Sequence, residues 1–258
     1  MNEIIQKSEI KTGIGKLSVY IKQHNSGKPP LIFLHGIYFD HHLWDKQVEE
    51  IEDRTVISVD MPLHGVSREN IRPNWTLNDC AEMLIEILDS LKIPKAIAIG
   101  HSWGSMTILR AAHKHPERFA AVGLCNMPFQ AATKTQKAIF DLQHLMLVLR
   151  EFYTNQSAKA LFAKASLKEN PSLINQLKRS MSILSNKQLK QIDKAVMMNA
   201  DDTTYLIETL KVKAIALRGE EDFVPTPPNI ETITVKGGHV SPLENPREVS
   251  DLVSRLVE

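Results

Sequence analysis

The sequence predicts an α/β fold: a mostly parallel open sheet with helices on both faces, plus a helical cap inserted after the sixth strand. Three observations carry this expectation. Short, continuously apolar runs at 31–34, 55–59, 96–99 and 119–125 read as strands buried on both faces. They alternate with helical periodicity across short links, which is the rhythm of a parallel sheet. The rhythm lapses between Pro128 and about Thr203, where only helical patterns are found, and then resumes. The predicted division is therefore core 1–127, helical cap 128–202 and core 203–258.

Composition fits this and narrows the function. With 258 residues, 43% apolar and 24% charged, the chain can bury a large single core. A net charge of +1 gives no whole-chain case for nucleic acid. The N-terminal stretch is polar and lacks the apolar centre of a signal peptide, and no apolar run approaches the roughly 18–20 residues of a membrane span. Cys80 and Cys125, on a predicted helix and a predicted strand end, read as buried free thiols in a reducing compartment. A cytoplasmic protein acting on a small molecule is expected. No His, Cys, Asp or Glu group has metal-ligand spacing, so neither metal nor cofactor is expected.

Taken in order, 8–11 and 17–23 read as an edge hairpin turned at Thr12-Gly13-Ile14-Gly15. The strand at 31–34 ends in His35-Gly36-Ile37-Tyr38, and a helix is expected over 40–52. The strand at 55–59 ends in Asp60-Met61-Pro62-Leu63-His64-Gly65-Val66-Ser67. Thr76 is placed to cap a helix with Asp79 three positions on, and Ala81, Leu84, Ile85, Leu88 and Leu91 form its core face. The strand from Ala96 runs into Gly100-His101-Ser102-Trp103-Gly104, which opens a helix that His115-Pro116 ends. Cap helices are expected at 137–155, 157–168, 172–184 and 187–198. Strands at 212–217 and 232–235 lead into Arg218-Gly219-Glu220-Glu221-Asp222 and Lys236-Gly237-Gly238-His239. A closing helix from Asn245-Pro246 turns Val249, Leu252, Val253 and Leu256 inward.

The chemistry centres on Gly100–Gly104. Strand, sharp turn and helix are the context of a G-x-S-x-G elbow, in which glycines flank a strained, exposed serine at a helix N-terminus. Alone, the motif reads equally well as a serine capping the next helix. A serine hydroxyl needs a base, and the base needs an orienting group. Ser102 follows the fifth strand, an acid follows the seventh and His239 follows the eighth, all at the carboxyl ends where an open α/β sheet puts its ligand crevice. Glu220, Glu221 and Asp222 compete for the acid role, and the G-x-x-D register favours Asp222.

Five motifs in this order resemble the α/β-hydrolase superfamily, in its compact, cap-bearing esterase and lactonase-like subgroup. They are His35-Gly36-Ile37, the turn from Asp60 to Ser67, the elbow, Gly219–Asp222, and Gly238-His239 followed by Leu243-Glu244-Asn245-Pro246. The resemblance runs from about Lys16 to the C-terminus, with the cap matched only in position and helical character. It implies Ser102 as nucleophile, His239 as base and Asp222 as the group orienting it, with the backbone N–H groups of Ile37 and Trp103 as the oxyanion hole. The chain departs from the family at Leu63, where glycine is usual, and at Ser105, where a second glycine is frequent. It also has a short, proline-crowded segment between Asp222 and His239, where the family's usual helix is expected to be missing, leaving that side of the sheet open to a second copy of the chain.

The resemblance implies a serine hydrolase acting through an acyl-enzyme on a small ester, thioester or lactone. Amide and carbon–carbon bond hydrolysis use the same triad. The alternatives are a non-hydrolytic enzyme on the same fold, such as a lyase or perhydrolase, and a ligand-binding receptor that retains the shell. A serine at the elbow argues against epoxide hydrolase and haloalkane dehalogenase chemistry, whose family members use aspartate there. His35 and His101 read as structural, and His41 and His42 as solvated residues at a helix start. Between Pro128 and Met198 there are 11 Lys/Arg against 4 Asp/Glu, a net +7, while the rest of the chain carries a net −6. Solvated helix faces explain that asymmetry, and so does a preference for anionic substrates. Leu142, Leu145, Met146, Leu147, Val148, Leu149 and Phe152 are expected to line an apolar acyl pocket.

Overall fold

The computed structural model describes residues 5–258. Strands β1 (Ile5–Lys11) and β2 (Lys16–Lys22) form the antiparallel edge hairpin. Strands β3 (Leu31–Leu34), β4 (Val56–Val59), β5 (Ala96–His101), β6 (Phe119–Cys125), β7 (Lys213–Gly219) and β8 (Glu231–Val235) follow. The eight strands lie in the order β1-β2-β4-β3-β5-β6-β7-β8, antiparallel at β1/β2 and β2/β4 and parallel from β4 onward. Every residue of β3, β4 and β5 is buried, as their unbroken apolar runs require.

Helices α1 (Asp45–Glu50), α2 (Leu77–Ser90) and α3 (Trp103–Lys114) belong to the first part of the sheet. Thr76 and Asp79 close the expected capping box on α2. The helix expected over 40–52 opens instead as a 3₁₀ turn, His41–Trp44, because the Asp40 carboxylate caps the amide of His42. Between β6 and β7 lie α4 (Lys134–Leu145), α5 (Arg150–Leu161), α6 (Lys164–Glu169), α7 (Leu173–Ser182), α8 (Asn186–Asp193) and α9 (Thr204–Glu208). The chain closes with α10 (Ser241–Glu244) and α11 (Pro246–Val257). On β5, Gly100 faces α3, while Ile99 points with Gly123 toward Leu252 and Leu256 of α11. Successive strand residues face opposite sides, so α3 and α11 cover the two faces of the sheet.

The cap helices differ from expectation in their breaks. The segment 137–155 is two helices, because Met146–Val148 tightens to a 3₁₀ turn and Leu149 leaves helical geometry at φ −101, ψ 64. That break sets Arg150 at the carboxyl end of α7, where its guanidinium donates to the carbonyls of Met181 and Leu184. The segment 157–168 breaks at buried Phe162 and Ala163. The last cap helix widens into a π turn at Lys194–Met198, closed by Asn199 N–H donating to the Lys194 carbonyl at 3.0 Å. Between β7 and β8 there is no helix, and along β8 only Val235 is fully buried. No helix among the described residues is long and apolar enough to cross a membrane.

Candidate active site

The elbow is built from close packing. Ser102 sits at φ +50, ψ −111, a conformation that costs a side-chain-bearing residue roughly 1–3 kcal/mol and persists only where neighbours hold it. A Cβ on Gly100 would lie 2.3 Å from the Ser105 nitrogen, and one on Gly104 would lie 2.1 Å from the Leu34 carbonyl oxygen. Only glycine fits at either position. The Ser102 amide donates to the Cys125 carbonyl at 2.8 Å, which fixes the turn against β6.

The structure brings Ser102, His239 and Asp222 together from the ends of three strands. His239 Nε2 is 2.9 Å from Ser102 Oγ, and its Nδ1 is 2.8 Å from Asp222 Oδ1. Both are hydrogen-bond distances, so the imidazole accepts from the serine and donates to the carboxylate. All three side chains are buried. Burial pushes the Asp222 carboxyl up, but its bonds from His239, Asn126 and the Val224 amide outweigh this and hold it below the ordinary carboxylate range. Glu220 and Glu221 are exposed and make no contact with the histidine.

Two polar residues hold this arrangement: Asn126, which the sequence reading passed over, and Glu244, which it named only within the closing motif. Asn126, at the end of β6, donates from Nδ2 to Asp222 Oδ2 at 2.8 Å and accepts from the Ser241 amide at 3.3 Å. Its φ is +50, and the one signal available in sequence is an asparagine directly after a strand. Glu244 accepts from Gly238 N–H and Ala163 N–H at 3.0 Å each and from Val240 N–H at 3.1 Å. It clasps the histidine loop and the cap in one carboxylate. The cap also bonds the histidine directly, as the Leu161 carbonyl accepts from His239 N–H at 2.7 Å. From below, His101 Nε2 donates to the His239 carbonyl at 2.7 Å. Burial lowers the His101 pKa to about 3, so this ring is neutral and structural.

The loop carrying Ile37 presses on the serine. A Cβ on Gly36 would lie 2.5 Å from His101 Nδ1 and 3.1 Å from Ser102 Cβ. The backbone N–H groups of Ile37 and Trp103 donate to no group among the described residues. Two neutral histidines hold the loop. His35 donates from Nδ1 to the Gly36 carbonyl and accepts the Met61 amide on Nε2. His64 donates from Nδ1 to the Pro62 carbonyl and accepts the Tyr38 amide on Nε2. Burial keeps both uncharged, with pKa values lowered to about 3 and about 4. Asp60 anchors the turn below them, accepting from His41 N–H, His41 Nδ1, Val66 N–H and the Tyr20 hydroxyl. His41 is thus a structural partner, while His42 pairs with Asp45 at the surface. Leu63, where the family usually has glycine, holds φ +69 and is buried.

A buried polar cluster ties the helical segment between β6 and β7 to this loop. The hydroxyls of Tyr38 and Tyr153, 3.0 Å apart, both donate to Asp193, which also bonds His144 Nε2 at 2.9 Å. Residues of α4, α5 and α8 therefore converge beside Ile37. A cavity of about 590 Å³ lies here, bordered by Ile37, Phe140, Met146, Phe152, Leu161 and Phe223 among others. Of the apolar cap run, Met146 and Phe152 border this cavity and Leu147 is buried. Leu142 and Leu145 turn outward instead, to a separate groove shared with Lys190 and Lys194. No group of three or more His, Cys, Asp or Glu among the described residues is placed to hold a metal ion.

Comparison with known proteins agrees with this fold. A family model described as the alpha/beta hydrolase fold matches residues 29–246. The chain is 28% identical over 132 residues to an epoxide hydrolase of Caballeronia sordidicola, covering 48% of this chain and 38% of that one. The chain spans less than half the length of the first curated relatives that it matches. It is 22% identical to 3-oxoadipate enol-lactonase 2 of Acinetobacter baylyi, over 90% of this chain and 89% of that one. Among solved structures, a thermophilic esterase from Thermogutta terrifontis superposes with a TM-score of 0.82 at 21% identity, covering 97% of each chain.

Proposed function

The chain belongs to the α/β-hydrolase fold family, and we propose that it is a serine hydrolase cleaving a small ester, thioester or lactone through an acyl-enzyme. The observation that carries this reading is the unbroken hydrogen-bond path from Ser102 Oγ through His239 to Asp222 at a strained elbow. Ser102 Oγ attacks the acyl carbon as its proton passes to His239 Nε2. Asp222, kept ionised by its donors, stabilises the imidazolium and fixes its tautomer. The carbonyl oxygen takes up negative charge between the N–H groups of Ile37 and Trp103, each worth roughly 3–4 kcal/mol to the transition state. The tetrahedral intermediate collapses, and the leaving alkoxide or thiolate takes the proton from His239. Water then repeats the sequence on the acyl-enzyme and regenerates the serine.

In this reading residues 128–202 form a lid over the crevice of the two core segments. Serine at the elbow separates the chain from its epoxide hydrolase relatives, whose chemistry needs a carboxylate there. The enol-lactonase and esterase likenesses agree with an acyl carbonyl as the point of attack. The test is a fluorophosphonate probe with wild type, Ser102→Ala and His239→Ala, alongside p-nitrophenyl butyrate turnover. Labelling and a pre-steady-state burst should vanish in Ser102→Ala, with kcat falling by about 10⁴–10⁶ in either variant. Absence of labelling in folded wild type sinks the proposal.

A further inference from the structure

The triad is closed off from both cavities beside it. Ser102 and His239 are each 3% exposed, and neither borders either of these two. The larger cavity, of about 590 Å³, reaches the site at Ile37 and at Leu161, whose carbonyl holds His239. A second cavity, of about 200 Å³, approaches from the other side at Met106 and Val224, whose amides bond the Ser102 carbonyl and the Asp222 carboxylate. Three side chains border both spaces: Phe140 of α4, Met197 and Phe223. They form a common wall.

Phe223 is the member of that wall nearest the chemistry. Its ring stacks on the His239 imidazole, centroids 4.4 Å apart and planes inclined by 26°. It is nevertheless 56% exposed, so it can change rotamer without repacking a core, a motion of exposed side chains on the ps–ns scale. Met197 lies in the π turn, a geometry frequent at functional sites, and its thioether adapts to irregular space.

We propose that Phe223 is a gate over the nucleophile and, with Phe140 and Met197, the divider of the crevice. The proposal rests on the serine-hydrolase reading above. When the ring swings off the histidine, the two cavities meet at Ser102 Oγ and receive the two halves of one ester. The smaller slightly exceeds the ~150 Å³ that encloses a benzene, so it takes a chain of about six carbons or a single ring. The larger takes a bulkier group, against a mostly apolar border that carries Gln143, Gln156, Ser157 and Lys159. The substrate class is an ester with one short half and one larger half.

Two ester series test this, one lengthening the acyl chain on a fixed alcohol and the other lengthening the alcohol on a fixed acyl group. In wild type, kcat/KM should fall at least tenfold beyond about six carbons in one series and not in the other. Phe223→Ala, and independently Met197→Ala on the cap, should raise the long-to-short ratio in the restricted series about tenfold. Phe223→Trp should lower it. A ring that only orients His239 would change kcat for every ester alike and leave the ratio unmoved, which overturns the proposal. Fluorophosphonate labelling of the same preparations separates the two failures. Labelled protein with unmoved ratios removes the divider alone, whereas unlabelled wild type removes the hydrolase reading and the divider with it.

Discussion

Replacing Gly36 by alanine is the sharpest test of where the oxyanion would be held. A Cβ there would stand 2.5 Å from His101 Nδ1, 2.8 Å from His101 Cε1 and 3.1 Å from Ser102 Cβ. Ordinary contacts are about 3.5–4.0 Å, so the loop must back away by about 1 Å. His101 has little room to yield, since its other nitrogen is bonded to the His239 carbonyl and its ring is buried. The Ile37 N–H, one residue on, moves with the loop. A displacement of that size costs on the order of 100-fold in rate, and full loss of one oxyanion donor costs about 10²–10³ in kcat. Overpacking costs typically about 1–3 kcal/mol, so the fold should survive. The assay is kcat and KM on p-nitrophenyl butyrate, with urea melts beside it. kcat should drop about 100-fold or more with little change in KM. A folded Gly36→Ala protein with kcat within threefold of wild type would refute the placement of the hole at Ile37.

Two further outcomes follow from charged groups around the crevice. Burial alone would raise the Asp60 carboxyl, yet its His41 bonds bring its pKa down to about 2, against an ordinary value near 3.8. A depressed carboxylate stabilises the fold above its unfolded pKa and loses that contribution as pH falls, here from about pH 4 toward pH 2, a loss of about 2 kcal/mol. Asp60→Asn should therefore be destabilised at pH 7 by at least that amount, with a smaller deficit at pH 2.5, and urea midpoints giving equal deficits at both pH values would contradict the linkage. Lys159 is exposed at the rim of the larger cavity and has no acidic partner among the described residues. Lys159→Glu should cut the preference for a carboxylate-bearing ester over a neutral one roughly fivefold, about 1 kcal/mol of surface electrostatics, and high salt should shrink that effect; unchanged, salt-insensitive ratios would assign the basic cap to solvation alone.

The features legible in the sequence are those imposed by backbone crowding. Gly36, Gly100, Gly104 and Gly219 each stand where a Cβ would fall 2.1–2.5 Å from a neighbouring atom, so the motifs carry their geometry in residue type. Continuous apolar runs mark the buried strands because both faces of the sheet are covered. Contacts made across long sequence separations left no such mark. Asn126 meets Asp222 across 96 positions, and Tyr38 meets Asp193 across 155. Nothing local to either residue announces its partner. The cap was legible as helical but not in its breaks, because an apolar run on all sides of 142–152 hides where the period resets at Leu149.

The clasp formed by Leu161, Ala163 and Glu244 bears on how freely the specificity proposed above could be re-engineered. Exchanging the whole cap for that of a relative treats it as a module, yet two of its backbone groups belong to the histidine loop: one receives the His239 amide and the other shares the Glu244 carboxylate. A graft cut at the ends of the insertion would discard both and leave His239 without its upper support. The exchangeable unit is smaller, the single side chains that border the cavities. Exchanges at Phe140, Gln143 or Lys159 leave Leu161, Ala163 and Asp193 in place, and so keep the clasp while the cavity wall changes.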